Sequence, residues 1–350
     1  MPNILFLIGN GFDLNIGLKT RFSDVKSEYL SLVSNDPLIN DFKKILSLDH
    51  ENWSDFEKAM GVYTERFIQF NKDIYISQIN SFKEVLIEKF NTEQSRIEYL
   101  SNKEHITNTF RDSLTNIFNY FNNKSKQKIK SIIEASRQNN EFTYNFINFN
   151  YTNVLEKCIE TLQTNNNNFN FRTYNYQGSV FPIVDKVESI LHIHGTLQEN
   201  LILGVDNIEQ IKSEELKQDN EFQWEIVKPR INEALEENYD LNARVLILSS
   251  SIICIFGMSI GDTDKTWWEK IYEWLKSSDE RHLLIFYYNK NGVNEKNPSA
   301  KIKHTFYVKD LFFNTVGISD KQEMEKCYNR IHIAIKNESI FKLDIISKVK

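Results

Sequence analysis

The apolar positions of this chain fall into two kinds of run. Short, nearly unbroken runs read as strands buried on both faces. The first covers residues 3–8, apolar from Ile4 to Ile8, and Gly9-Asn10-Gly11 cuts it off. Phe142 to Phe149, Ser189 to Ile193, Leu201 to Leu203, Ile252 to Phe256 and His282 to Tyr288 have the same character. From about Phe22 to Gln138 the pattern differs: Pro and Gly vanish apart from Pro37 and Gly61, and apolar residues recur at helical spacing. Examples are Phe42, Ile45 and Leu46, then Phe56, Met60 and Tyr63, then Ile76, Ile79, Phe82, Val85, Leu86 and Phe90. This predicts several amphipathic helices. Ser54-Asp55-Phe56-Glu57 has the spacing of a capping box, and Glu57 either completes that cap, the favoured reading, or is catalytic. Asp13 is placed to cap a short helix after the first strand. Further helices are predicted over Ile211–Glu236, over the aromatic stretch Thr266–Leu275 and over Asp320–Lys336, and Asn165–Asn170 reads as a loop.

Strands alternating with helices imply an α/β fold with a mostly parallel sheet, covered by helices on both faces and carrying a large helical insertion. The 350 residues suit one large or two modest domains. A net charge of −6 argues against a nucleic-acid partner, whose phosphates call for clustered cations. The basic run Lys124–Lys130 reads as a solvated helix face. Cys158, Cys254 and Cys327 are far apart, so neither a disulfide framework nor a zinc set is expected, and a reducing cytosol suits them. No apolar run has the length of a signal peptide or membrane span, so a cytoplasmic protein without a membrane partner is expected.

Ligands of open parallel sheets sit beyond the C-terminal strand ends. Four segments occupy such places: Gly9–Asp13, Asn150–Asn153, His194–Thr196 and Gly257–Asp264. A G-x-G turn lets a phosphate approach backbone N–H groups at a helix start. The third glycine, Gly17, comes six residues after Gly11, so the dehydrogenase fingerprint G-x-G-x-x-G is absent. No acidic residue ends a second strand about 20 positions on. The carboxamide of Asn150 can hold a ribose hydroxyl or orient a water, or it can simply serve a turn. His194 is a candidate general base with Gly195 beside it, or else a hydrogen-bonded interior histidine. A metal bound by His192 and His194 would need further ligands that the neighbourhood lacks. In Gly257–Asp264, Ser259 is the candidate binder and Asp264 the helix cap. Gly257-Met258-Ser259-Ile260-Gly261 also matches the nucleophile elbow G-x-S-x-G. A triad would then have to draw on His282, His304 or His332, none in a clear loop beside a sheet end.

Taken together, Ile8-Gly9-Asn10-Gly11-Phe12-Asp13-Leu14 with Gly17-Leu18-Lys19-Thr20, then Trp53-Ser54-Asp55-Phe56-Glu57, Phe149-Asn150-Tyr151-Thr152, His194-Gly195 and Gly257–Asp264 resemble, in this order, the motifs of the AbiH family of bacterial abortive-infection proteins. The same order is similar to sirtuin-like NAD-consuming domains. The resemblance implies a Rossmann-like, sirtuin-like domain over residues 1–22 and 142–350, with the helical insertion at 23–141. It implies NAD as a substrate rather than a bound cofactor, and no metal. Asn150 and His194 would be catalytic. Gly9, Asn10, Gly11, Phe12, Asp13, Thr20, Tyr151, Gly195, Gly257, Ser259 and Asp262 would contact the dinucleotide. The implied role is antiphage NAD hydrolysis released by a phage-derived trigger, with the insertion as candidate sensor or homo-oligomer contact. The alternative is a module that binds NAD or ADP-ribose without turnover. Asp13 stands where sirtuins have serine, Thr152 where they have aspartate and Arg21-Phe22 where they have Phe-Arg, and the four-cysteine zinc module is absent.

Overall fold

Seven strands among the described residues form one sheet: β1 (Asn3–Ile8), β2 (Phe142–Asn148), β3 (Asn168–Tyr176), β4 (Ser179–His192), β5 (Ile252–Phe256), β6 (His282–Phe286) and β7 (Ile331–Ile333). Their order is β3-β4-β2-β1-β5-β6-β7. Neighbours run parallel except in the β3–β4 hairpin. The structure is a computed structural model and describes residues 3–47, 53–65, 72–137, 141–163, 168–261, 264–288, 296–334 and 339–346. Every residue of β1, β2, β5 and β6 is buried, because helices cover both faces. Alternation divides β1 between two cores: Ile4, Phe6 and Ile8 face one, Leu5 and Leu7 the other.

The helices that follow β1 are α1 (Gly11–Ile16), α2 (Phe22–Ser31), α3 (Pro37–Ser47), α4 (Trp53–Tyr63), α5 (Lys72–Ser95), α6 (Lys103–Thr115) and α7 (Asn123–Arg137). After β2 come α8 (Val154–Leu162), α9 (Glu214–Gln218), α10 (Asn220–Ile226), α11 (Lys228–Ala234), α12 (Tyr239–Ser249), α13 (Lys265–Lys276), α14 (Pro298–Thr315) and α15 (Lys321–Tyr328). Residues of α6, α7 and α8 pack on the Phe6 face, and residues of α12 to α15 on the Leu5 face.

The long helical stretch divides in two. Ile106, Phe110, Leu114, Ile129 and Ile133 belong to the sheet's own core. Phe22, Phe56, Phe82 and Phe90 instead build a third core with Leu197, Leu203, Val205, Phe222 and Val227 from the later part of the chain. This helical lobe is thus assembled from two distant segments, which periodicity along one of them cannot reveal.

Other differences have local causes. Leu201–Leu203 is not a strand; it is buried in the lobe core. The helix expected over Asp320–Lys336 ends at Tyr328, and β7 follows at the sheet edge; residues 335–338 lie outside the described residues. The Asn-rich loop lies partly outside them too, at 164–167, while Asn168 already opens β3. The predicted helix over Ile211–Glu236 is broken at Asp219 and Val227, whose extended backbones cap α10 and α11. Lys124, Lys128 and Lys130 are exposed on α7. The three cysteines are buried and unpaired. Among the described residues no helix is long and apolar enough to cross a membrane, and no cluster of His, Cys, Asp and Glu could hold a metal ion.

Candidate active site

Parallel register brings the strand ends level. Ile8 pairs with Asn148 and with Phe256, Asn148 pairs with His192, and Phe256 pairs with Phe286. The segments just beyond this row surround a cavity of about 670 Å³. That lies within the about 300–1,000 Å³ of small-molecule sites. Its lining includes nine of the residues singled out in the sequence: Gly9, Asn10, Gly11, Asp13, Asn150, Tyr151, His194, Gly257 and Ser259. Glu57 of the lobe, Asp264, and the exposed Arg21 and Lys342 add charged groups to its lining.

The glycine loop is locked in place through three backbone N–H groups. Gly9 N–H donates to Phe256 O (2.9 Å), Gly11 N–H to Gly257 O (2.8 Å) and Phe12 N–H to Gly9 O (2.9 Å). The loop after β1 interlocks with the loop after β5, so these three donors are engaged. A Cβ on Gly11 would lie 2.4 Å from Gly257 Cα, and Gly257 itself has φ +75°; both positions exclude side chains. The Asn10 carboxamide fastens this loop, accepting from the Thr20 hydroxyl (2.7 Å) and donating to Thr20 O (2.8 Å). Thr20 is fully buried and Phe12 stacks edge-on with Phe110, Phe256 and Phe341, so neither lines the cavity. Gly195, at φ +68°, makes room for the Asn200 carbonyl, not for a ligand; a Cβ there would lie 1.8 Å from that oxygen. Asp262 lies outside the described residues.

One wall of the cavity grows from the sheet. Asp13 sits inside α1, not at its cap, and is buried. Its Oδ2 accepts from the Thr152 hydroxyl (2.7 Å) and its Oδ1 from Asn150 Nδ2 (3.4 Å). Burial pushes its carboxyl up to about 7, against the Thr152 hydrogen bond. Asn150 is 4% exposed and its Oδ1 has no hydrogen-bond partner. A buried acceptor without a donor costs about 1–3 kcal/mol, which marks a place where a ligand donor belongs.

The two histidines separate where β4 ends. His192 reaches Glu156 of α8 (Nε2 to Oε1, 2.6 Å) and Asn150 O (Nδ1, 3.0 Å). A carbonyl and a carboxylate both accept N–H donors, so this setting favours the doubly protonated ring. Burial opposes that charge, but the Glu156 hydrogen bond and charge outweigh it and raise the pKa. His194 packs against Phe149 and Tyr151 (ring centroids 5.5 and 6.3 Å). Burial and the nearby Lys228 charge push it well below its ordinary value. The low pKa keeps the ring neutral at the cavity wall, where it can hydrogen-bond.

The opposite wall belongs to the lobe and was missed. A parallel bridge between Val205 and Val227 sets Asp206 beside Lys228, and Lys228 N–H donates to Val205 O (2.9 Å). Helix α4 docks on the same region: Lys212 N–H donates to Gly61 O (3.2 Å) and to the Thr64 hydroxyl (2.9 Å). The buried Lys228 ammonium thereby stands 2.8 Å from Glu57 Oε1 and 3.1 Å from Asp206 Oδ1. Burial pushes Glu57 up to about 7, with Lys228 pulling the other way and Asp206 adding to the rise. Burial, reinforced by Asp206, does the same to Asp264. Helix α4 already includes Trp53, so Ser54 is not its cap, and Glu57 makes an ion pair in place of a capping box. Asp264 holds the N-cap position of α13 but makes no capping hydrogen bond.

Ser259 is exposed on the cavity without a catalytic histidine. His282 and His332 lie toward the starts of β6 and β7, away from the end of β5 that Ser259 follows, and His304 of α14 packs on Tyr287.

No curated protein matches the chain. A family model described as "Bacteriophage abortive infection AbiH" matches residues 5–287, which include both walls of the cavity, and the chain therefore belongs to the AbiH family.

Proposed function

We propose that this AbiH protein serves its role in phage abortive infection by hydrolysing NAD to nicotinamide and ADP-ribose, in a Rossmann-like, sirtuin-like site at the sheet's C-terminal edge. The unpartnered Asn150 carboxamide oxygen, buried at the cavity wall, carries this reading. It accepts a hydrogen bond from a ribose hydroxyl or from the attacking water. Neutral His194 supplies a second hydrogen bond to the ribose. The phosphates fall to Arg21 and Lys342, since the loop donors are engaged. The acidic walls suit a substrate whose nicotinamide ring is a cation and whose ribose becomes cationic as the ring leaves.

The test is to incubate the protein with NAD, with and without phage lysate as the source of the trigger, and to measure nicotinamide and ADP-ribose. Release is expected from the native chain and loss of release from Asn150→Ala. His194→Ala should raise KM more than it lowers kcat. Tight binding of ADP-ribose without any release would make the chain a nucleotide-binding module instead.

A further inference from the structure

The lobe wall holds a charged centre that the reading above leaves idle. Lys228 and Glu57 come from helices far apart in sequence, yet the buried Lys228 and the largely covered Glu57 meet at 2.8 Å beside the cavity. Glu57 lines the cavity; the ammonium lies behind it, touching Glu57 and Asp206. Such an arrangement fixes one carboxylate in one place, as a proton-transfer group requires. The other carboxyls of the cavity are less suited. Both oxygens of Asp13 are engaged by Thr152 and Asn150, and no ion pair or hydrogen bond holds the Asp264 carboxyl among the described residues. His194 is too weak a base.

We propose that Glu57 is the catalytic residue that takes the proton from the attacking water, and that Lys228 is the positioning residue that aims its carboxylate at the cavity; this rests on the NAD-cleavage reading. The bond between ribose C1′ and the nicotinamide nitrogen breaks, and its electron pair stays with nicotinamide, which leaves neutral. The ribose becomes an oxocarbenium ion beside the Glu57 carboxylate. Water oxygen bonds to C1′ and one of its protons passes to Glu57. The products are ADP-ribose, nicotinamide and one proton, which Glu57 later returns to solvent.

Glu57→Gln keeps size and polarity and removes the base. It should slow nicotinamide release by about 10²–10⁴-fold in kcat. The affinity for ADP-ribose, measured by calorimetry, should be unchanged. Asp264→Asn is the parallel control and should cost less. The groups facing Glu57 are Lys228, Asp206, Asp264 and Tyr151, with His194 next to Lys228. Native kcat/KM should therefore rise with pH through about 7, where Glu57 ionises. Lys228→Met should move that rise to higher pH, and Lys228→Arg should restore it even if the methionine variant fails to fold.

Native release with Glu57→Gln equally active, or a larger loss in Asp264→Asn, overturns the assignment of Glu57 alone. ADP-ribose binding with no release from the native chain overturns the cleavage reading and the assignment together. An arginine variant whose pH rise is displaced from the native one overturns the positioning role of Lys228.

Discussion

Where β6 and β7 begin, His282 Nδ1 and His332 Nε2 lie 3.1 Å apart in a buried contact. Beside them the Arg330 guanidinium donates to the carbonyls of Leu275, Ser278 (2.7 Å), Arg281 (3.2 Å) and Lys326 (3.1 Å). Trp274 Nε1 donates to Ser250 O at 2.9 Å. At the opposite end of the sheet polar groups are as deeply buried, but Asn150 Oδ1, Asn153 Oδ1, Glu156 Oε2 and Asp206 Oδ2 have no partner. The first end satisfies most of its polar atoms from within the fold, Arg137 Nε excepted; the other leaves several acceptors without a partner and holds three carboxyls near 7. Natural proteins break the rule of internal satisfaction mainly where they bind or react, so the contrast itself locates function.

The largest effect that would test this contrast is at Lys228. Removing the ammonium in Lys228→Met leaves the largely covered Glu57 and Asp206 without a counter-charge. The expected loss is about 3–5 kcal/mol in urea unfolding. Adding Glu57→Gln should recover part of it, because one of the stranded carboxylates is gone. A simple sum of the two single losses would show that the ion pair is not the unit described.

How far the sequence foretold these two ends follows from what each is made of. The glycine turn, Asn150 and His194 follow apolar strands, so the parallel-sheet rule found them without knowledge of the lobe. The parallel character of the sheet needed only the alternation of elements, whereas the strand order and the common register that levels the strand ends depend on tertiary pairing. The lobe wall was hidden because it is a contact between helices: Lys228 is one charged residue in a charged stretch, and nothing along the chain says that Val205 pairs with Val227. Glu57 was visible, but S-x-x-E fits a capping box as well as an ion pair, and only the partner decides. Asp13 was misread for a similar reason. An aspartate near a helix start caps by default, and its burial against Thr152 is a tertiary event.

A smaller effect separates the two ends by the sign of their response to acid. Burial and the charges of Lys128 and Arg330 depress His282 to about 4. Burial, His282, Lys309 and Lys128 depress His332 to about 3. The unfolded chain takes up these protons at about 6.5, so the pair's contribution is intact above that pH and is lost as pH falls toward 4. Asp13, Glu57 and Asp264 act oppositely. Their folded carboxyls hold protons up to about 7 whereas the unfolded ones release theirs near 4, so the stability they contribute at low pH is lost as pH rises through 7. The urea midpoint at about pH 7 minus that at about pH 5 should therefore fall in His332→Gln and rise in Glu57→Gln relative to the native chain. A change of the same sign in both variants would erase the distinction between the ends.

The smallest effect is the most discriminating, because it compares two buried asparagines in and just beyond one strand. Asn145 of β2 accepts from the Ser189 hydroxyl at 2.7 Å, so Asn145→Ala strands that donor and should cost about 1–3 kcal/mol. Asn150 has a free acceptor and one long contact, 3.4 Å, to Asp13. Asn150→Ala removes an unsatisfied oxygen along with the long, weak contact to Asp13, and the two effects offset, so its cost should be smaller than that of Asn145→Ala. ADP-ribose affinity should fall in Asn150→Ala and hold in Asn145→Ala. Equal destabilisation of the two variants, with nucleotide affinity intact in both, would make Asn150 an ordinary turn residue. The open end of the sheet would then be a packing defect rather than a site.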